Sequence, residues 1–251
     1  MSVIVPLPIE KETTCLSTFF FVKFDWPLST IIHRNLPKDS NMSYTAKTQY
    51  KKQLPTYHKK VVQRNSERVT HLMKVLDTKK QITSLLDFGC GNAEITSEIA
   101  RDYGIKTVYG VDVYPESESK HKSIIYKQVK DNKIDIPDHS IDLVTCYMSI
   151  HHFEDFDKMM AEICRVLKPG GWLFFREHDV GKDNVDLRTF LDDMHKQYPD
   201  HPGGTINYWD RAQLKAKLQE SLKFKHVKDS DYPKHIKNKQ AIYHSLYLYS
   251  A

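Results

Sequence analysis

The chain has 251 residues, of which 40% are hydrophobic and 27% are charged, and its formal net charge is +5. This length and composition are typical of one globular domain with an extension. The four cysteines are scattered and form no CxxC pair, which argues against a disulfide framework and against a zinc cluster. We therefore predict no metal ligands, and a reducing, cytoplasmic location.

The N-terminal part of the chain lacks a helical period. Residues 1–55 are predicted to be an irregular arm with a strand near Ser17–Phe24, because prolines occur at positions 6, 8, 27 and 37. The start has no basic region typical of a signal peptide. The apolar stretch Cys15–Trp26 is too short to span a bilayer, so no membrane association is predicted.

Residues 46–80 are rich in lysine and arginine. Apolar residues at helical spacing in the second half of this segment predict a helix from about Thr56 to Leu76. Its basic residues form either a solvated face or a surface that binds phosphates, and the sequence leaves both interpretations open.

From Ser84 onward, strand and helix signals alternate, which predicts an α/β, doubly wound, mostly parallel sheet with helices on both faces. The corresponding domain covers residues 56–251. The predicted strands are Ser84–Phe88, Lys106–Asp112, Ser123–Val129, Ile141–Tyr147, Trp172–Arg176, Phe224–Asp229 and Ala241–Tyr249. The predicted helices are Glu94–Asp102, Asp155–Leu167, Val185–Tyr198 and Trp209–Leu222, and the LKPGG segment is expected to end the second of them.

A glycine turn follows the first strand in the segment SLLDFGCGNAEITSE. Glycines allow a sharp turn, and a following helix would direct free N–H groups toward a ligand. A dinucleotide would require a third glycine, but Glu94 stands near that position, and Asp87 would repel a diphosphate. An acid before the first glycine instead favours a cationic ligand such as S-adenosylmethionine, which carries an ammonium and a sulfonium group.

Two further acids follow the next strands. Asp112 ends the second strand, where a carboxylate can accept hydrogen bonds from both ribose hydroxyls of a nucleoside. Asp131 follows the third strand, where an adenine amino group would lie, although an ordinary turn residue is an equally good interpretation.

The segment LLDFGCGNAEIT…VYGVDV…IPDHSIDLVTCYMSIHHFEDFDKMMAEICRVLKPGGWLFF resembles class I S-adenosylmethionine-dependent methyltransferases. The resemblance covers residues 84–176, and it is strongest to the branch with ubiquinone-biosynthesis and other small-molecule enzymes. It implies a Rossmann-like methyltransferase fold with a seven-stranded sheet whose last strand is antiparallel. It also implies that the arm 1–55 covers the acceptor site.

The resemblance further implies which residues hold S-adenosylmethionine. The methionine part would lie against the glycine turn, the ribose against Asp112, the adenine beside Asp131 and Asn132, and the sulfonium near Tyr147 and Met148. The full set expected at the cofactor is Asp87, Phe88, Gly89, Cys90, Gly91, Asp112, Val113, Asp131, Asn132, Tyr147 and Met148. Ala93 replaces a third glycine that many members carry, and we expect little harm from this change.

The methyl acceptor should lie beyond strands four and five. Strand four leads to His151 and His152, which are adjacent and so are expected to point in different directions. Strand five leads to Glu177 and His178, and these four residues are the candidates for a base or for orienting the acceptor. Arg176 could bind an anion or pair with Glu177. A lid of Tyr198, Tyr208 and Trp209 could cover a planar substrate.

Three functions stay open at this point. The first is methyl transfer to a small or medium polar acceptor. The second is RNA methylation of the cap-guanine type through the basic 46–80 segment, while the lysines needed for ribose 2′-O-methylation are missing after strands four and five. The third is a non-catalytic, S-adenosylmethionine-binding partner subunit. The sequence does not predict the oligomeric state.

Overall fold

The computed structural model of the chain describes seven stretches of residues: 65–76, 81–113, 121–181, 183–196, 206–221, 224–231 and 244–250. The predicted arm 1–55, the first part of the predicted Thr56–Leu76 helix and Tyr198 lie outside these residues. Within them, no helix is long and apolar enough to cross a membrane.

Strands and helices alternate along most of the described chain, as the hydrophobic pattern predicts. The helices are α1 (65–75), α2 (Glu94–Tyr103), α3 (Phe156–Val166), α4 (Val185–Lys196) and α5 (Arg211–Ala216). A 3₁₀ helix covers Ile150–His152, and a π-helical turn, Lys217–Ser221, follows α5. The strands are β1 (Ser84–Phe88), β2 (Thr107–Asp112), β3 (Ile125–Gln128), β4 (Ile141–Tyr147), β5 (Leu167–His178), β6 (Lys225–Asp231) and β7 (His244–Ser250).

The strands form a sheet in the order β3-β2-β1-β4-β5-β7-β6. Parallel ladders join the five strands β1, β2, β3, β4 and β5 to their neighbours. Strand β7 instead pairs antiparallel with both β5 and β6. The expected doubly wound, mostly parallel sheet of seven strands is therefore corrected in its last part. The parallel α/β unit has five strands, and the final two strands are attached through antiparallel ladders and do not extend the parallel pairing.

Apolar side chains from the helices cover the parallel strands on two faces. One core layer includes Met160 and Ile163 of α3 with Leu214 of α5. The other includes Leu72 of α1 and Ile99 of α2. Strands covered on both sides read as continuous apolar runs, and every residue of β1 and β4 is buried.

Strand β5 begins earlier than predicted. Leu167 already pairs with Ile141, so the LKPGG segment belongs to the strand and not to a separate turn. The register between β4 and β5 shifts within this segment, where Gly170 adopts a φ of 71°. The proline and glycines therefore mark an irregular start of a strand, a feature that also ends the preceding helix at Val166.

The loop between β3 and β4 is held by the guanidinium group of Arg165 on α3. Its N–H groups donate to the carbonyls of Ile134 and Ile136, each at 2.8 Å, and to the carboxylates of Glu162 and Asp138. A planar guanidinium group can satisfy several acceptors at once, which keeps this loop close to the sheet.

A buried carboxylate holds the amino ends of three neighbouring strands together. Asp142 of β4 accepts hydrogen bonds from the backbone N–H and hydroxyl groups of Thr83 and Ser84 and from Lys168 of β5 at 2.9 Å. Burial alone would raise the pKa of Asp142, but these hydrogen bonds outweigh burial and hold it well below its ordinary value. The ionised form therefore stabilises the fold.

Replacing Asp142 by Asn should lower the free energy of unfolding at pH 7 by roughly 1–3 kcal/mol, because buried donors lose a charged acceptor. Since the folded pKa is depressed, the contribution is complete above the unfolded pKa of about 3.9 and disappears as the pH falls toward the folded value. Urea unfolding at pH 7 and near pH 3 would measure this. The exposed Asp135→Asn variant, which removes a surface pair with Lys127, should change stability much less. Equal losses in the two variants, or an Asp142→Asn loss that does not shrink in acid, would contradict the assignment.

Candidate active site

Left-handed backbone conformations concentrate at the carboxyl edge of the parallel strands. Gly89, Gly91 and Ala93 after β1 have φ values of 71°, 53° and 59°, and Met148 after β4 has a φ of 58°. Such conformations cost energy in residues with a side chain and cluster at functional sites. Ala93 therefore occupies a position where glycine would be unstrained, which explains the third glycine expected there.

The backbone N–H groups of the glycine turn are already bonded within the protein. Gly89 and Cys90 donate to the Val111 carbonyl at 2.7 and 3.1 Å, and Gly91 donates to the Asp112 carboxylate at 2.8 Å. These three N–H groups are therefore satisfied within the protein, whereas the free N–H groups expected at the start of the following helix stay a prediction. A diphosphate, which would need those donors, fits poorly here.

Asp87 lies under the glycine turn and is almost completely buried. Its two carboxylate oxygens accept hydrogen bonds from the hydroxyls of Thr96 on α2 and Thr145 on β4. Burial raises the pKa of Asp87 to about 6, and these hydrogen bonds only partly counter it. An ionised Asp87 is therefore a negative charge that a nearby cation would stabilise.

Asp112 closes the glycine turn from the end of β2. One of its oxygens accepts from Gly91 N–H, and the other accepts from Val113 N–H at 2.7 Å. A carboxylate at the end of the second strand of such a sheet is a group that accepts hydrogen bonds from ribose hydroxyls. The residues at this turn thus fit a cationic nucleoside such as S-adenosylmethionine.

Three further residues predicted at the cofactor have different surroundings in the structure. The Phe88 ring packs edge-on against Phe153 with centroids 4.9 Å apart, and the Cys90 side chain lies under the turn against Gly110. The side chains of these two residues therefore pack inside the protein. Val113 is 47% exposed and lies just beyond Asp112, where a ligand can reach its side chain.

Asp131 and Asn132 form the centre of a tight turn after β3. Both have left-handed φ values, 52° and 57°, and the flanking Lys130 and Lys133 exchange backbone hydrogen bonds. This pattern is typical of the two-residue turns that favour Asp and Asn. The local conformation thus accounts for both residue types, and contact with an adenine stays a prediction.

Tyr147 ends β4, and Met148 follows it directly. Met148 donates its N–H to the carbonyl of Arg176 at 2.9 Å, which fixes its left-handed conformation. The Tyr147 ring packs against Phe174, and its buried hydroxyl has no hydrogen-bond partner among the described residues. Burial raises the pKa of Tyr147, so this hydroxyl is a neutral donor at the edge of the proposed cofactor site.

The segment after β4 packs directly on the glycine turn. Ser149 donates its hydroxyl to the Phe88 carbonyl at 3.0 Å. A Cβ built on Gly89 would lie only 2.4 Å from the Ser149 hydroxyl oxygen, so Gly89 is required for this contact. The segment after β4, where the acceptor is expected, is therefore in direct contact with the glycine turn, where the cofactor is expected.

A cluster of histidines begins in this segment. The 3₁₀ helix Ile150–His152 brings the rings of His151 and His152 to a centroid distance of 4.0 Å. The prediction that the two rings point in different directions, which assumes extended backbone, is therefore wrong. His178 at the end of β5 lies on the same side, 5.0 Å from the His151 ring.

Glu177 joins the ends of β4 and β5. Its carboxylate contacts His151 Nδ1 at 2.7 Å and accepts hydrogen bonds from the backbone N–H groups of His178 and His151. Burial raises the pKa of Glu177. The expected pairing of Glu177 with Arg176 does not occur, because successive residues of a strand face opposite sides of the sheet.

Two further residues complete the cluster, and one of them was not predicted. His195 on α4 places its Nε2 atom 3.3 Å from His151 Nε2, and no local pattern around it indicates a site. Tyr208, a predicted lid residue, donates its hydroxyl to Asp192 and lies 3.3 Å from His195 Nδ1. Trp209, by contrast, packs on Phe156 in the core.

Side chains of the cluster form two overlapping groups whose ligand atoms are close enough to share a metal ion. One comprises His151, His152 and His195, and the other comprises His151, Glu177 and His178. The four residues expected to serve the acceptor, His151, His152, Glu177 and His178, are therefore brought together. What differs from the expectation is that the rings of His151 and His152 lie side by side.

Similar proteins are found by sequence. The chain is 25% identical over 161 residues to an uncharacterised methyltransferase, YcgJ, of Bacillus subtilis, which covers 61% of this chain and 62% of the relative. It is 29% identical over 111 residues to a demethylmenaquinone methyltransferase of Chlorobaculum parvum, covering 43% and 46% of the two chains. The chain thus spans less than two thirds of the length of these relatives.

The fold also has counterparts among solved structures. A SAM-dependent methyltransferase from Aquifex aeolicus superposes with a TM-score of 0.52, covers 72% of this chain and 88% of its own, and is 16% identical. At this identity the likeness concerns the fold. A family model described as a methyltransferase domain matches residues 50–221, well over half of the chain. The chain therefore belongs to this methyltransferase-domain family.

Proposed function

We propose that this chain is a methyltransferase that moves the methyl group of S-adenosylmethionine to a small or medium polar acceptor. The observation that carries the proposal is the closed glycine turn, in which Asp112 at the end of β2 accepts from Gly91 N–H at 2.8 Å and so places a carboxylate where a ribose would lie. Family membership supports the reaction type. The turn supports the cofactor, because its engaged N–H groups and two acids disfavour a diphosphate.

Each residue at the turn has a separate part in this proposal. Asp87 would supply negative charge to the amino-acid end of the cofactor, and Asp112 would hold the ribose. Gly89 would let Ser149 pack against the turn beside the cofactor. The buried Tyr147 hydroxyl and Met148 would face the sulfonium, since they lie at the end of β4 and directly after it, beside the turn.

The reaction itself is an in-line displacement. A lone pair of the acceptor attacks the methyl carbon, the carbon–sulfur bond breaks, and its electron pair stays on sulfur as the cofactor becomes the neutral thioether. A protonated acceptor also releases one proton. Positioning supplies most of the rate, and a base or another activating group is needed only for that proton.

The acceptor is proposed to lie against the histidine cluster. His151, His152 and His178 follow β4 and β5 on the side that adjoins the glycine turn through Ser149. Glu177 contacts His151 and would act through it as a positioning residue. The relative from Chlorobaculum parvum is named for a quinone substrate, which supports a small-molecule acceptor here.

The described thiols support a reducing location. Cys90, Cys146 and Cys164 are free, and we propose the cytoplasm on this basis. The basic 46–80 segment on which an RNA acceptor would depend lies mostly outside the described residues, so RNA methylation stays a prediction from sequence.

Transfer of tritium from methyl-labelled S-adenosylmethionine into a fractionated cell extract tests the proposal. We expect label in the small-molecule fraction and none without the protein. Label in RNA would favour the RNA alternative. Cofactor binding without transfer to any fraction would favour a non-catalytic partner subunit and contradict the proposed activity.

Replacing Asp112 by Asn should weaken S-adenosylmethionine binding by about 10- to 150-fold, because a hydrogen bond to a charged acceptor contributes roughly 1.5–3 kcal/mol. Isothermal titration calorimetry measures this. The matched control is Asp138→Asn, an exposed acid that pairs with Arg165 before β4. Unchanged binding in Asp112→Asn, or an equal loss in the control, would contradict the ribose assignment.

Asp87 predicts a pH-dependent affinity. Because its pKa is raised to about 6, we expect cofactor affinity to be constant above pH 7 and to fall by up to about tenfold per pH unit below 6. Asp87→Asn should bind weakly with a flatter profile over the same range. Calorimetry between pH 5 and 8 tests both statements.

The same raised pKa makes ionised Asp87 a cost to stability. The unfolded chain ionises more readily, so stability falls as pH rises from about 4 to 6 and is then constant. Asp87→Asn should therefore be at least as stable as the native chain at pH 7.5, and this advantage should shrink toward pH 4. A strongly destabilised variant at pH 7.5 would show that Asp87 is structural.

A further inference from the structure

We propose that His151, His152 and His195 bind a divalent transition-metal ion, with zinc as the reference ion, in the wall of the acceptor site. The three imidazoles come from the 3₁₀ helix after β4 and from α4, and their ligand atoms lie within 4.8 Å of one another. Neutral imidazole nitrogens are preferred ligands of zinc and neighbouring metals.

The hydrogen bonds of His195 determine which of its nitrogens carries the proton. Nδ1 lies 2.7 Å from the Leu191 backbone carbonyl, which can only accept, so Nδ1 must donate. The Tyr208 hydroxyl, which gives its own proton to Asp192, accepts at 3.3 Å from the same N–H. In a neutral ring, Nε2 therefore presents a lone pair.

His151 is oriented in the same way. Its Nδ1 atom lies 2.7 Å from the Glu177 carboxylate, which also accepts hydrogen bonds from two backbone N–H groups. Nδ1–H then donates to Glu177, and Nε2 presents a lone pair. A carboxylate behind a histidine is the usual outer partner of a metal-binding imidazole.

The two lone pairs face each other. His151 Nε2 and His195 Nε2 are 3.3 Å apart, and both side chains are almost fully buried. At this distance the two nitrogens can share a cation, which is either a proton in a hydrogen bond or a metal ion. Zinc–nitrogen bonds of about 2.0–2.1 Å in tetrahedral geometry separate the two nitrogens by roughly 3.3–3.4 Å.

The third imidazole, that of His152, lies on the side from which the group can be reached. His152 is only half-buried, whereas His151 and His195 are closed off from solvent, so an ion or an acceptor reaches the group from the His152 side. Three protein ligands leave a fourth position open, the arrangement of catalytic rather than structural zinc sites. The scattered cysteines gave no sign of this site, because all three proposed ligands are histidines.

A consequence for the chemistry rests on the proposed methyl transfer. A hydroxyl or amine of the acceptor that binds the open position would lose its proton more easily and would be held next to the glycine turn. The histidines would then serve as ligands, not as a base. Metal binding itself does not depend on the cofactor, so the two proposals can fail separately.

The test is zinc titration of the untagged full chain after treatment with a chelator, followed by calorimetry and elemental analysis. We expect one zinc ion per chain, and cobalt in place of zinc should give the visible absorption of a tetrahedral site. His195→Gln and His152→Gln should each lower zinc affinity by more than about 100-fold. Glu177→Gln, which alters only the outer partner, should lower it by roughly 10- to 100-fold.

His121→Gln is the matched control, since it removes a histidine outside the cluster and should leave zinc affinity unchanged. Circular dichroism identifies any variant that does not fold, and the half-buried His152 provides a second ligand variant if His195→Gln unfolds. Absence of zinc binding, or zinc binding that survives in folded His152→Gln and His195→Gln, would overturn the proposed metal site. The histidines would then be linked by hydrogen bonds alone. If zinc binds but S-adenosylmethionine does not, only the proposed function fails.

Discussion

The site depends on the hydrogen bonds that the buried carboxylate of Asp87 accepts. It binds Thr96 of α2 and Thr145 of β4, so one side chain at the end of β1 joins the helix after the glycine turn to the neighbouring strand. Burying this charge costs stability, as its raised pKa indicates. A cation bound at this edge of the sheet would stabilise the ionised carboxylate, as the proposed function requires.

The glycine turn after β1 and the segment after β4 depend on the same close packing. Ser149 fits against Gly89 and bonds to the Phe88 carbonyl, and the 3₁₀ helix begins at the next residue. The position of the histidine cluster is therefore set by the glycine turn. In methyl transfer, where alignment of acceptor and methyl group supplies most of the rate, such shared support has a direct benefit.

Sequence reasoning succeeded where the determinant is local. The order of acids and glycines predicted the turn, and Asp112 does end β2 beside it. Reasoning failed where backbone conformation decides. The two adjacent histidines, expected to point in different directions, lie side by side in a 3₁₀ helix. Helical or extended geometry for a three-residue segment cannot be read from its composition.

Local sequence patterns predict the parallel α/β unit, its glycine turn and the acids at the strand ends, because hydrophobic period and glycine placement act over a few neighbouring residues. Only the tertiary structure brought His195 of α4 to His151, 44 residues away, and made the two nitrogens face each other. It also paired Glu177 with His151 instead of Arg176. Contacts between distant segments follow from how helices pack on the sheet, and no local pattern records them.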